Sequence, residues 1–246
     1  MRVGHYSDYL VRVAGICGIT AGSLLDEEKT QFNGWFTKHA NSIWDQYPWP
    51  STTVCESRTP NSSYVIEYDQ TGQNVIDTVL EVYDGSPYLA NPSGRIPWTL
   101  TADGIQLIGQ TTVTGVWVYY RKQCPEFTGA DYSASATYAA GDSMYYTDAA
   151  GKGNYYVCAS ATTAGQNPDS NASKWTRQEL PYDFLEYVIH SSYADWLRSD
   201  GQNDKAAQAD AYAMDLQMTQ TEKVERQQRF VPPLVVQTHL TSRPLI

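Results

Sequence analysis

The chain has 246 residues, with 17 Lys and Arg against 27 Asp and Glu and a formal net charge of −10. That length holds one large domain or two to three small ones. The acid excess, with no basic cluster, excludes an extended phosphate-binding surface, because non-specific nucleic-acid affinity comes from neutralising phosphates. No stretch approaches the ~20 consecutive apolar residues of a transmembrane helix. The start, Met1-Arg2-Val3-Gly4-His5, carries no long apolar run of a secretion signal, so a soluble protein without membrane contact is expected.

Ser7 is placed as the N-cap of a short helix carrying Tyr9, Leu10, Val13 and Ile16 toward Cys17-Gly18. A second helix is predicted from about Ser23, with Asp26, Glu27 and Glu28 suited to its positive N-terminal dipole. Phe32, Trp35, Phe36, His39, Ala40, Ile43 and Trp44 give it an apolar face at 3–4 spacing. Tyr47-Pro48-Trp49-Pro50 ends it.

From Thr52 to Phe127 the pattern changes to strands. Tyr64–Tyr68, Ile76–Tyr83 and Val113–Arg121 are β-branched or aromatic runs. Trp98–Thr101 and Ile105–Ile108 flank Asp103-Gly104, a tight-hairpin signal. A small antiparallel sheet is expected here.

Residues 129–179 are poor in long aliphatics and rich in Tyr, Ala, Gly, Ser and Asn. Such a composition builds short strands and packed aromatic rings, not a large aliphatic core. Phe127-Thr128-Gly129 and Gln178-Glu179-Leu180-Pro181 read as junctions, so the segment looks inserted.

Two helical runs follow. Tyr182 to Asp200 places Leu185, Val188, Ile189, Tyr193, Trp196 and Leu197 on one face. Asp204 to Arg229 is rich in Ala and Gln, with Glu222/Arg226 and Glu225/Arg229 as i,i+4 pairs. Pro232-Pro233 then stops the helix, and an apolar tail runs to Ile246.

The fold class expected is α+β: a discontinuous helical bundle from both chain ends (1–50 and 180–229), a small antiparallel β domain (51–128), an inserted β module (129–179) and an extended C-terminal arm (230–246). The sheet and the module are expected to project from the bundle.

Chemistry leaves no trace in the motifs. GxxxxGK[ST], HExxH and GxSxG are absent, and Gly151-Lys152-Gly153 reads as a hairpin turn. His39 and His190 read as packing histidines. Cys17, Cys55, Cys124 and Cys158 are far apart without a CxxC, so free, mostly buried thiols are expected and no zinc site. No catalytic residue, metal or cofactor is assigned.

The skeleton Tyr132, Tyr138-Ala139-Ala140-Gly141-Asp142, Tyr146, Tyr155-Tyr156-Val157-Cys158, Gly165-Gln166-Asn167-Pro168 and Trp175 resembles the small chitin-binding-type carbohydrate-binding modules of chitinases. That resemblance implies sugar rings stacking on exposed aromatic faces, with Tyr132, Tyr146, Tyr156 and Trp175 as the candidate platform. Tyr132 stands where the family has a Trp, and Asp148–Gly153 lengthens a turn. Alternatively, Tyr138, Tyr156 and Trp175 form the module's own core.

Outside this module, an ordered series of segments resembles the head-to-tail adaptor proteins of tailed bacteriophages. It runs through Tyr9-Leu10, Gly18-Ile19, Leu24-Leu25, Trp44, Tyr47–Pro50, Tyr64–Gly72, Leu80–Tyr83, Leu100–Ile105, Tyr119–Arg121, Pro125–Phe127 and Tyr193–Arg198 to Lys205-Ala206-Ala207. The resemblance implies a virion neck protein made in the bacterial cytoplasm. It would form a homo-oligomeric ring, expected as a dodecamer, between the portal protein and the stopper or tail-tube and terminator proteins. DNA would pass through without specific binding, and a glycan is a further expected ligand of the module. The portal-binding arm would be carried by Phe230, Val231, Leu234, Val235, Val236, Leu240, Leu245 and Ile246. The alternative is a carbohydrate-binding adhesin of the phage tail or host-recognition apparatus.

Overall fold

Two helices at the start of the chain and two near its end meet around one aromatic core. The computed structural model describes residues 4–69, 74–89, 94–110 and 114–228. Within them the class is α+β.

Helix α1 (Tyr6–Ile16) buries Tyr6, Tyr9, Val13 and Ala14, the face its spacing predicts. Its cap differs from expectation. The helix starts before Ser7, and His5 at the N-cap makes no side-chain cap bond. The amide of Tyr6 instead donates to Asn154 Oδ1 at 3.0 Å, and the Ser7 hydroxyl accepts the Gly153 amide at 3.2 Å. Orphan first-turn amides need acceptors, and here one comes from a distant hairpin. After Gly18, whose φ of 73° suits a residue without Cβ, a short 3-10 turn occupies Ala21–Ser23. That turn delays α2 (Asp26–Gln46) by about three residues against the predicted start.

The α2 face buries Phe32, Phe36, His39, Ala40, Ile43 and Trp44. The Glu28 carboxylate accepts the Leu25 amide at 2.8 Å, satisfying an amide at the helix start. Beyond the prolines, Trp49 folds back so that its indole donates to the Ile43 carbonyl at 2.7 Å and its ring meets Phe184 at 5.2 Å.

Strands β1 (Thr53–Arg58), β2 (Val65–Ile66), β3 (Ile76–Tyr83), β4 (Trp98–Thr101), β5 (Gly104–Leu107) and β6 (Val116–Lys122) follow. They make two antiparallel three-stranded sheets, β1-β6-β3 and β2-β5-β4, where one was expected. The physical reason lies in the backbone. Tyr64 adopts φ 59°, which cuts the predicted Tyr64–Tyr68 strand to two residues. At Gly104, φ is 149°, and a Cβ would stand 2.2 Å from the Ile66 carbonyl oxygen, so only glycine lets β5 approach β2. The two sheets share a core of Ile66, Ile76, Val82, Ile96, Ile105, Leu107, Val116, Val118 and Tyr120. Within that core the buried Arg58 guanidinium donates to Glu56 at 2.8 Å and to the Tyr120 hydroxyl at 2.7 Å. Val113, the predicted start of the last strand, lies outside the described residues.

The inserted module has strands β7 (Ala130–Asp131), β8 (Ser143–Thr147), β9 (Gly153–Cys158) and β10 (Trp175–Arg177) in the order β10-β9-β8-β7. All pairs are antiparallel except β7 with β8. It does not simply project. Tyr155 and the partly buried Tyr145 belong to the helical core, with Tyr6 edge-on to Tyr155 at 4.8 Å and to Tyr145 at 5.9 Å. Lys152 pairs with Asp8 at 2.6 Å beside the same contact.

A 3-10 turn, Tyr182–Phe184, leads into α3 (Leu185–Ser199), and Gly201 at φ 76° joins α3 to α4 (Asn203–Gln228). Helix α3 packs on α1, α2 and α4, so the helices of both chain ends form one interrupted bundle. Leu185, Val188, Ile189 and Leu197 are buried as predicted, while Tyr193 and Trp196 are half-buried. The Glu222–Arg226 pair is made at 3.0 Å; Arg229 of the other predicted pair lies outside the described residues.

Candidate functional site

Alternation along β8 and β9 divides the module's aromatics between two faces. The register sets Tyr145 opposite Tyr155 and Met144 opposite Tyr156. Successive strand residues point to opposite sides, so the first pair turns to the helices and the second to the module's own core. Met144, Cys158 and Trp175 are that core, with Tyr132, Tyr138, Tyr146 and Tyr156 packed around it.

The rings on this second face form a continuous line. Trp175 meets Tyr138 edge-on at 5.2 Å, Tyr138 stacks on Tyr132 at 5.9 Å, Tyr132 meets Tyr146 edge-on at 5.4 Å, and Tyr146 meets Tyr156 at 6.2 Å. Asp169 anchors the line at Tyr146, accepting the Tyr146 hydroxyl at 3.0 Å and the Ala149 amide at 3.2 Å. Partial burial, followed by that hydrogen bond, pushes the Tyr146 phenol up to about 12. Burial likewise raises Tyr132 and Tyr156, so these phenols are neutral at physiological pH. The Tyr132 hydroxyl is enclosed and meets no hydrogen-bond partner among the described residues.

Of the four candidate platform residues, the structure brings Tyr132, Tyr146 and Tyr156 together as half-buried rings. Trp175 is the correction. It is only 6% exposed, and its indole donates inward to the Gln166 carbonyl at 3.1 Å, so it offers no face to a ligand. Its large apolar area is spent on the module's core. Tyr138, stacked on Tyr132, and Asp169, which fixes Tyr146, were not assigned to the platform from sequence. The signal for the division of faces was the alternation in Ser143–Thr147 and Gly153–Cys158.

The other candidate set, Phe230, Val231, Leu234, Val235, Val236, Leu240, Leu245 and Ile246, lies outside the described residues. Helix α4 reaches Gln228, the last of them.

One ionic cluster around the buried Asp195 carboxylate ties three helices. Asp195 Oδ2 accepts from Lys38 at 2.7 Å and lies 2.8 Å from His39 Nε2, while Arg198 donates to Oδ1 at 2.8 Å and also pairs with Asp210 of α4. Burial alone would raise the Asp195 carboxyl, but bonds from Lys38 and His39 hold it below the usual carboxylate range. His39 goes the other way: burial holds it below the ordinary imidazole value, with the Asp195 bond opposing. Both carboxylate oxygens are occupied by helix-joining partners, which fits the packing role read for His39.

The described residues hold no cluster of three or more His, Cys, Asp or Glu able to bind a metal ion. Nor is any described helix long and apolar enough to cross a membrane. All four cysteines are free, and burial pushes the Cys17 and Cys124 thiols up to about 12, which makes them poor nucleophiles. No protein-family model matches the chain, and no curated protein matches it at a significant level.

Proposed function

We propose that this chain is a structural virion protein, the head-to-tail adaptor of a tailed bacteriophage. It would form a ring between the portal and the stopper or tail proteins and anchor to the portal through residues 230–246. The observation that carries the reading is the interrupted bundle. Helices from both chain ends share one core, with the β domain and the module inserted between them. That architecture agrees with the one implied by the ordered residue resemblance across the chain. Ring subunits need two different contact faces.

The test is co-assembly with portal protein, read by native mass measurement. Full-length chain is expected to form a closed oligomer and to bind portal; chain truncated after Arg229 is expected to keep its helical signal and lose portal attachment. A strictly monomeric protein that ignores portal overturns the proposal.

A second reading, a carbohydrate-binding adhesin, is favoured by the Tyr132–Tyr146–Tyr156 line. Its measure is glycan binding by the full chain with Tyr132→Ala or Tyr156→Ala. Binding that survives both substitutions removes the platform from consideration.

A further inference from the structure

Helix α4 carries two apolar stripes, and among the described residues only one is packed against the rest of the subunit. Ala206, Ala209 and Ala213 are buried and Val224 packs on the bundle core. Ala207, Ala211, Met214 and Met218 form a second row, exposed, at spacings of 4, 3 and 4. At about 100° per residue, this row lies about 140° round the helix from the packed one. Met214 is 62% and Met218 64% exposed. A solvent face normally carries polar residues, whereas a 4-3-4 apolar row is the pattern of a helix–helix seam.

Charge says what kind of partner fits. Asp204, Asp215 and Glu222 border the row on one side, Asp210 on the other, and Glu225 lies at its end. Only Asp210 and Glu222 among these are in ion pairs within the described residues. A second copy of α4 would set carboxylates against carboxylates. Among the described residues most cations are already engaged in ion pairs, Arg12, Lys29, Lys38, Arg95, Arg121 and Lys152 among them, and the three that are not, Lys122, Lys174 and Lys205, lie on three separate elements. The described residues therefore show no basic row that would complement the stripe.

We infer that the outward stripe of α4, Ala207, Ala211, Met214 and Met218, docks a different protein presenting an apolar helix edge bordered by Lys or Arg. The inference stands apart from the adaptor reading and from residues 230–246.

The test uses the full chain and two synthetic helical peptides with the same leucine seam, one bordered by Lys and one by Glu. Fluorescence anisotropy at low and moderate salt reads the affinity. The Lys-bordered peptide is expected to bind, and Met214→Gln with Met218→Gln to weaken it roughly tenfold or more. Asp215→Asn with Glu222→Gln is expected to weaken binding less and to flatten its salt dependence. Circular dichroism of each variant checks that the helices persist. Equal binding of both peptides, or binding of neither, overturns the inference. So does self-association of the full chain that the methionine substitutions abolish, because the occupant would then be a second copy.

Discussion

The two β insertions relate to the helical bundle in opposite ways. The β1–β6 sheets close on a core of their own and touch the helices mainly through polar bonds, such as Trp44 Nε1 to the Lys122 carbonyl at 2.7 Å and Arg121 to Asp45 at 3.0 Å. The module of β7–β10 splits its aromatics, keeping one set and giving Tyr145 and Tyr155 to the bundle. Composition accounts for the difference. The first insertion has Ile and Val enough to bury a core alone, while the second has large rings and few aliphatics, so part of its apolar area must be covered by a neighbour. An insertion in sequence need not be an appendage in space.

The strongest way to break that contrast is Tyr155→Ala. The ring is 6% exposed among Tyr6, Phe127 and Tyr145, so its loss is expected to cost about 3–5 kcal/mol, and denaturant unfolding should register it as a loss of helical signal. A cost confined to the module, with the helices unfolding as before, would make it an appendage after all. Deleting 129–179 should for the same reason destabilise the bundle.

Next in size is Asp195→Ala, which strips the α2–α3–α4 junction of its acceptor. Lys38 and Arg198 are 61% and 43% exposed and regain water, while His39 stays enclosed. About 1.5–3 kcal/mol is expected, appearing in the helical transition. The sign with pH follows from the two shifts. His39 titrates lower folded than unfolded, so the unfolded state binds the extra proton first, and stability falls as pH drops below the ordinary imidazole range through the folded His39 value. Asp195, also lowered, adds a loss only at more acidic pH, as it protonates in the folded state. His39→Gln should flatten the first slope and make the second shallower, since His39 is one of the partners that hold the Asp195 carboxyl down while Lys38 remains.

Asn154→Ala sharpens the comparison at a smaller scale. Removing the acceptor for the Tyr6 amide is expected to cost about 1 kcal/mol, seen as faster amide exchange in the first turn of α1. Smallest is Asp169→Asn, which replaces a charged acceptor of the Tyr146 hydroxyl by a neutral one. The Tyr146 phenol should then titrate at lower pH in an ultraviolet titration, with stability nearly unchanged.

How much of this was legible in the sequence depended on whether the signal was local. Helical faces were readable because Phe32, Phe36, Ala40 and Ile43 repeat at the helical period. The hairpin near Asp103-Gly104 was readable from its turn-forming residues, although the turn falls on Ala102-Asp103 and Gly104 opens β5. The cap of α1 was not, since Asn154 lies 148 positions away. His39 showed its face but not Asp195, its partner on another helix. One expected sheet is two, and the positive φ of Tyr64 just before β2 is an outlier that its residue type does not announce. Trp175 was left open between platform and core, because composition tells that a ring is large, not which way it points.

The cap on α1 also sets a schedule for synthesis. The amide of Tyr6 meets its acceptor only when Asn154 is made, and Tyr6, Phe127 and Tyr155 close together only then. At a translation rate of about 5–20 residues per second, the first helix leaves the ribosome on the order of ten seconds before the hairpin that completes it. A nascent chain would thus carry an unfinished α1, with Tyr6 lacking Phe127 and Tyr155, until the hairpin 148 positions further on is made.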